Sequence, residues 1–391
     1  MNPPEAAVAP QWRVMLTDWQ IGEDDIEAVM ETLRSGWLTM GPRTQELEAR
    51  FAEISGATHA IAVSSASAAL HLLCRAAGVG PGDEVIVPAI SFVADAHAPR
   101  HCGGTTVLAD IDSPTRPLLG VAEVEPLISE RTKAVIAVHM FGYSGAADAA
   151  YELAEFCAER GVTLLEDCAQ ASGARYPDGR WVGSLGLAGC FSFFSKTALG
   201  VGEGGIITTD DADFAAAVRS LRSHAMSSVT WDRHRGHAET YDVGELGYNY
   251  RLDEPRATLA LSRLGRLDAS LADLKRIARA YRELLADLDG VELTFSAAEI
   301  EHGGHFAFPV LVADGATRDR VREQMRLAGV QSTAYPALNL LTEYLDPDAA
   351  PRAADFAARH IALPIYADLS TSDQQIVVAA LADALGGQSG G

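Results

Sequence analysis

The chain has 391 residues, 48% of them apolar, and a formal net charge of −22 spread without a long single-sign run. That length and apolar content suffice for two domains, while the acidic balance excludes a nucleic-acid surface and leaves any anionic substrate to a few local cations. Five cysteines without a CxxC pair are expected as reduced core residues of a cytoplasmic protein, with neither a signal peptide at the start nor an apolar run long enough to cross a membrane.

In chain order, residues 1–20 read as a loose N-terminal arm. Helical periodicity follows over Glu23 to Ser35, with Ile26, Val29, Met30 and Leu33 on one face, and over Thr44 to Ile54. His59 to Val63 is a buried strand that breaks into Ser64-Ser65-Ala66-Ser67, where an apolar helix opens. Strands at Glu84 to Pro88, Thr105 to Ala109, Lys133 to His139 and Val162 to Asp167 then alternate with helices at Phe92 to His101 and Ala147 to Arg160. This alternation predicts a mainly parallel sheet with helices on both faces. From Pro255 onward the pattern changes to long helical segments and then to a smaller mixed region. The expected division is an arm over 1–20, a large domain over 21–255, and bridging helices with a small C-terminal α/β domain over 256–391.

Three segments carry chemistry. Ser64 to Ser67, at a strand-to-helix junction, offers hydroxyls, free N–H groups and a positive helix end to a phosphate, although helix capping alone explains the same residues. Asp167 ends an apolar strand where parallel sheets present ligand-binding groups; read alone, it serves equally as a helix cap. Gly189 to Gly205 runs an aromatic strand into Lys196 and a glycine-rich turn. A lysine so placed can have its pKa lowered by desolvation and form a Schiff base with an aldehyde cofactor, or simply snorkel from a strand end.

Together and in this order, the segments resemble the PLP-dependent sugar aminotransferases, the DegT/StrS group of fold type I. The likeness rests on Ser64 to Leu70, Gly80 to Ile86 with Pro88 to Ala94, Glu166-Asp167-Cys168-Ala169-Gln170, Phe191 to Gly205, Leu246 to Leu252 and Ala362 to Tyr366. The resemblance implies pyridoxal 5'-phosphate (PLP, cycling with its aminated form PMP) as cofactor. It implies that Asp167 pairs with the ring nitrogen, Gln170 lies near the ring, and Phe92 stacks on it. Ser65, Ala66, Ser67 and Ser192 would hold the phosphate. Asn249 would reach the cofactor of a neighbouring subunit, making a homodimer the working unit. The implied reaction moves an amino group from glutamate or glutamine to a keto sugar nucleotide or related cyclitol, in the biosynthesis of an amino sugar or secondary metabolite such as an antibiotic.

One departure bears on the chemistry. The family's Schiff-base lysine lies five residues after the serine matching Ser192, which here is Thr197; Lys196 stands one residue earlier. Lys196 is taken as the Schiff-base lysine. A PMP-dependent sugar dehydratase, other altered PLP chemistry, or a catalytically inactive relative remain as alternatives. Trp231 to His237 is a polar loop whose Arg233, His234 and Arg235 are expected to bind an anionic substrate, or to be a solvated surface.

Overall fold

The computed structural model describes residues 12–18, 21–144, 147–227 and 240–386. Among these, strands β1 (His59–Val63), β2 (Glu84–Pro88), β3 (Thr105–Ala109), β4 (Thr132–Val138), β5 (Thr163–Asp167), β6 (Ala188–Ser192) and β7 (Gly205–Thr209) form a seven-stranded sheet. Its order is β1-β7-β6-β5-β4-β2-β3. The β2–β3, β2–β4, β4–β5 and β5–β6 pairs are parallel, and β7 runs antiparallel to both β6 and β1.

The near-continuous apolar runs have a direct cause. Val85, Val87 and Ile136 pack on one face with Leu70 and Leu73, whereas Ile86, Val135 and Leu164 pack on the other with Leu153 and Phe156. Both faces are covered, so alternation in sequence disappears. The carboxyl ends of β1, β2, β5 and β6 open on one edge, and the expected site residues follow them there.

Helix α1 (Glu23–Ser35) and helix α2 (Pro42–Ser55) lie against the helix Glu254–Leu264. The N-cap of α2 is a glycine without a capping side chain. The buried Glu254 carboxylate takes that role, accepting from the N–H groups of Gly41, Arg43 and Thr44 and from the Thr44 hydroxyl at 2.7–2.9 Å. Helix α1 buries its polar side, with Thr32 Oγ1 2.8 Å from Thr258 Oγ1 and Asp25 bonded to Ser262 and Arg266. Its apolar stripe points outward, leaving Ile26 41%, Met30 38% and Leu33 51% exposed.

The 19-residue helix Leu267–Leu285 buries Leu274, Ile277, Ala278, Tyr281 and Leu285 and leads into a second sheet of β8 (Glu292–Leu293), β9 (Phe308–Leu311) and β10 (His360–Leu363). That antiparallel sheet has the order β10-β9-β8. The described part of the N-terminal arm is not loose. Val14 is buried, the Arg13 N–H donates to Gly329 O, and the Leu16 N–H donates to Gln331 Oε1 at 2.8 Å. An apolar residue flanked by free backbone groups finds a loop of the small domain to pair with.

Candidate active site

Helix α3 (Ala66–Ala76) starts directly after β1, and Ser65 is its N-cap, with Oγ accepting from Ala68 N–H at 3.1 Å. The N–H groups of Ala66 and Ser67 fall in the first turn, where the helix itself supplies no acceptor. A Cβ at Gly205 would stand 2.9 Å from Ala66 N and 2.9 Å from the Ser65 carbonyl carbon, so only glycine lets β7 approach this turn. Gly205 also pairs with Ser192, the last residue of β6. Ser192 is buried, and its Oγ accepts from Phe194 N–H at 3.1 Å. These groups converge on a cradle with the donor set a phosphate needs.

Asp167 closes β5 between Val138 and Cys190 of the neighbouring strands and is buried. Its Oδ1 accepts from Ala169 N–H at 2.8 Å and from the Cys190 thiol at 3.6 Å. Burial raises its pKa against these hydrogen bonds. Phe92 is the N-cap of helix α4 (Val93–His101), one turn from Asp95, and its ring is 62% exposed. Asp95 contacts Asp167 and is fully buried.

Next to Asp167, Glu166 anchors the strand end. Its Oε2 accepts from His139 Nε2 (2.9 Å), Tyr176 Oη (2.5 Å) and Gly183 N–H (2.8 Å), and its Oε1 from Leu185 and Gly186 N–H at 2.7 and 2.8 Å. Burial would raise its pKa, but His139, Tyr176 and the Gly186 N–H outweigh that and bring it to about 2. His139, Glu166 and Cys168 place ligand-type atoms within 4.8 Å of one another. With five hydrogen bonds accepted, Glu166 has no lone pair left for a metal, and the trio is a structural anchor.

The segment from Phe193 to Gly204 is a compact turn, not an extended strand. Thr197 N–H donates to Phe194 O, and Gly200 N–H donates to Thr197 O. The Thr197 hydroxyl is tied inward to Ser192 O and Phe194 O, both at 2.9 Å. Lys196 and Thr197 both border a cavity of about 310 Å³ that Gln170, Ser195, His305, Phe306 and Tyr366 also line; of the two, Lys196 is the one whose polar end is not folded back onto the turn. Its Nζ donates to Tyr335 Oη at 2.9 Å and lies 4.4 Å from the Phe306 ring centroid. Burial lowers its pKa to about 8. Gln170 accepts from Phe141 N–H at 2.7 Å through its side-chain oxygen, which fixes its amide at the cavity wall.

Lys196 and Gln170 therefore share one cavity, whereas Asp167, Phe92, Ser65 to Ser67 and Ser192 gather at the sheet edge outside its lining. Asn249 is exposed, on a segment bridged to Ser223. Arg233, His234 and Arg235 lie outside the described residues. His305 is buried with Nδ1 3.3 Å from Tyr143 Oη. Sequence reasoning missed Tyr335 and Asp95. No local signal in the sequence marks either one.

Residues 19–382 match the DegT/DnrJ/EryC1/StrS aminotransferase family. The spore coat polysaccharide biosynthesis protein SpsC of Bacillus subtilis is 35% identical over 94% of this chain and 96% of its own length. The aminotransferase TlmJ of Streptoalloteichus hindustanus superimposes with a TM-score of 0.88 at 30% identity, covering 96% of this chain and 99% of TlmJ. DesI, solved in the presence of its TDP-sugar product, gives a TM-score of 0.84 at 34% identity over 98% of this chain and 95% of DesI. The fold is that of the PLP-dependent aminotransferases, and the chain belongs to the DegT/DnrJ/EryC1/StrS aminotransferase family.

Proposed function

We propose that the protein is a PLP/PMP-dependent sugar aminotransferase that moves an amino group from glutamate or glutamine to a keto sugar nucleotide or related cyclitol. The observation that carries the reading is an amine, Lys196, of pKa about 8, held by Tyr335 and Phe306 in a cavity shared with Gln170. Ser65, Ala66, Ser67 and Ser192 would hold the phosphate, Asp167 the ring nitrogen, and Phe92 the ring face. Bound there, the cofactor supplies an electrophilic carbon and an electron sink.

The chain's own groups do the rest. Asp167 keeps a proton on the ring nitrogen. Lys196, half-deprotonated near pH 8, accepts and returns a proton at Nζ. Tyr335 Oη fixes the position of that nitrogen. Phe306 limits water at the amine. The Thr197 hydroxyl is committed to two backbone carbonyls and serves the turn, which disfavours a lysine-free dehydratase.

The sugar assignment is supported by the relatives: SpsC is named for polysaccharide biosynthesis, and DesI was solved with a TDP-sugar product. In a chain of charge −22, Arg233, His234 and Arg235 are the groups we assign to the anionic part of the substrate. The outward apolar stripe of α1 and the exposed Leu246 beside Asn249 support a homodimer with Asn249 reaching across. Five free cysteines support a reducing, cytoplasmic setting, and among the described residues no helix is long and apolar enough to cross a membrane. Incubating the purified protein with PLP, ¹⁵N-glutamate or ¹⁵N-glutamine, and a TDP-keto-sugar tests the reading. Labelled amino sugar is expected; a sugar product that has lost water and gained no ¹⁵N would replace it with the dehydratase.

A further inference from the structure

We propose that Asp95 and Asp167 share one proton, carried by Asp95, so that Asp95 acts as a positioning residue that donates a hydrogen bond to the Asp167 carboxylate. The proposal rests on reading Asp167 as the partner of the ring nitrogen and adds a second carboxyl to that partnership.

Asp95 sits in the first turn of α4, fully buried, 72 residues before Asp167 in sequence and in contact with it in space. One of its oxygens, Oδ2, accepts from the Ser91 hydroxyl. The other, Oδ1, is buried with no hydrogen-bond donor among the described residues. Two ionised carboxylates cannot bond to each other, and a buried carboxylate oxygen without a donor is costly. A proton on Asp95 removes both difficulties by turning an acceptor pair into a donor and an acceptor.

The surroundings offer no other remedy. Facing the pair are Cys74 of α3, Cys190 of β6 and His139 after β4. Burial pushes both thiols well above their usual range, so they remain neutral. The His139 ring is turned to Glu166. The pair therefore keeps a single negative charge, which matches the single positive charge of a protonated ring nitrogen. Burial raises Asp95 well above the ordinary carboxyl range, and the like charge of Asp167 adds to it. The Asp167 carboxylate, already receiving the Ala169 N–H, is then held in one orientation by a donor on each side.

Asp95→Asn keeps a donor and loses the titration; Asp95→Ala loses both. A buried acid with a raised pKa stabilises the fold less as pH rises from its unfolded pKa toward its folded one. Infrared spectroscopy of the cofactor-free protein at neutral pH should show a protonated-carboxyl band in the wild type that Asp95→Asn removes. The melting midpoint of apo Asp95→Asn should gain several degrees on the wild type between about pH 5 and about pH 8. PLP affinity should stay within about three-fold in Asp95→Asn and fall about ten-fold or more in Asp95→Ala. A band that survives Asp95→Asn, parallel midpoint curves, or equal affinities for the Asn and Ala variants would overturn the proposal. The first two measurements need no cofactor, so their failure is separate from any failure of the aminotransferase reading.

Discussion

Replacing Lys196 with methionine probes the feature on which aminotransfer depends, an amine kept partly deprotonated by its surroundings. Burial takes the Lys196 pKa from the ordinary 10.5 to about 8. At about 1.4 kcal/mol per pH unit, holding the ammonium costs the folded protein about 2–3.5 kcal/mol, the lower figure allowing for the residual exposure of the side chain. The folded pKa lies below the unfolded one, so the penalty is complete below about pH 8 and disappears as pH rises from about 8 to 10.5. Methionine preserves the stem that packs on Phe306 and Tyr335 while deleting the charge. The cofactor-free Lys196→Met protein should thus be more stable than the wild type at neutral pH, and the two should converge toward pH 10.5. Urea unfolding of both proteins across that range is the assay. Any constant contribution from methionine packing cancels in the pH dependence. A gap that stays constant from about pH 8 to 10.5 would refute the desolvated amine.

Three further outcomes follow from the same geometry. Glu166→Gln should cost on the order of 3 kcal/mol near neutral pH and flatten the acid limb of stability. The wild-type carboxylate, at about 2, loses its contribution only as pH falls from 4.5 toward 2, as denaturation at several pH values would report. Gly205→Ala, whose Cβ would meet Ala66 N and Phe191 O at 2.9 Å, should lose about 1–3 kcal/mol and weaken PLP binding measured by fluorescence titration; unchanged affinity would detach β7 from the cradle. Mixing Asn249→Ala with Lys196→Ala subunits should regenerate one intact composite site per mixed dimer, restoring activity above either variant alone, whereas no recovery would mean each site is built from one chain.

Much of the large domain was legible because its causes are local. Short apolar runs between turns specify most strands of the main sheet, and their parallel course brings Ser65, Asp167 and Ser192 to one edge, but the strand order β1-β7-β6-β5 differs from sequence order and was not legible. The side-chain direction of Lys196 was not legible. Alternation along an extended chain would set Lys196 and Thr197 against each other, but the segment coils into successive turns, both residues border the cavity, and only the hydrogen bonds show that the Thr197 hydroxyl is turned back to the backbone. Helix α1 displayed its amphipathic period plainly, yet a period cannot say whether the stripe meets a core or solvent. The polar side won the core because Thr32 and Asp25 find partners on the helix Glu254–Leu264 and on Arg266. Asp95 and Tyr335 were invisible for a different reason. Each matters through one contact with a residue remote in sequence, and nothing in the flanking residues encodes it.

The central claim is that Lys196, in spite of Thr197 at the usual position, is the amine that bonds to the cofactor. The sequence makes the test clean, since it contains three lysines, Lys133, Lys196 and Lys275. Borohydride reduction of the protein with bound PLP, followed by digestion and peptide mass mapping, should place one pyridoxyl group on the peptide containing Lys196 and leave the other two unmodified. Tightly bound PLP with no lysine labelled, or with the label on Lys133 or Lys275, would contradict it.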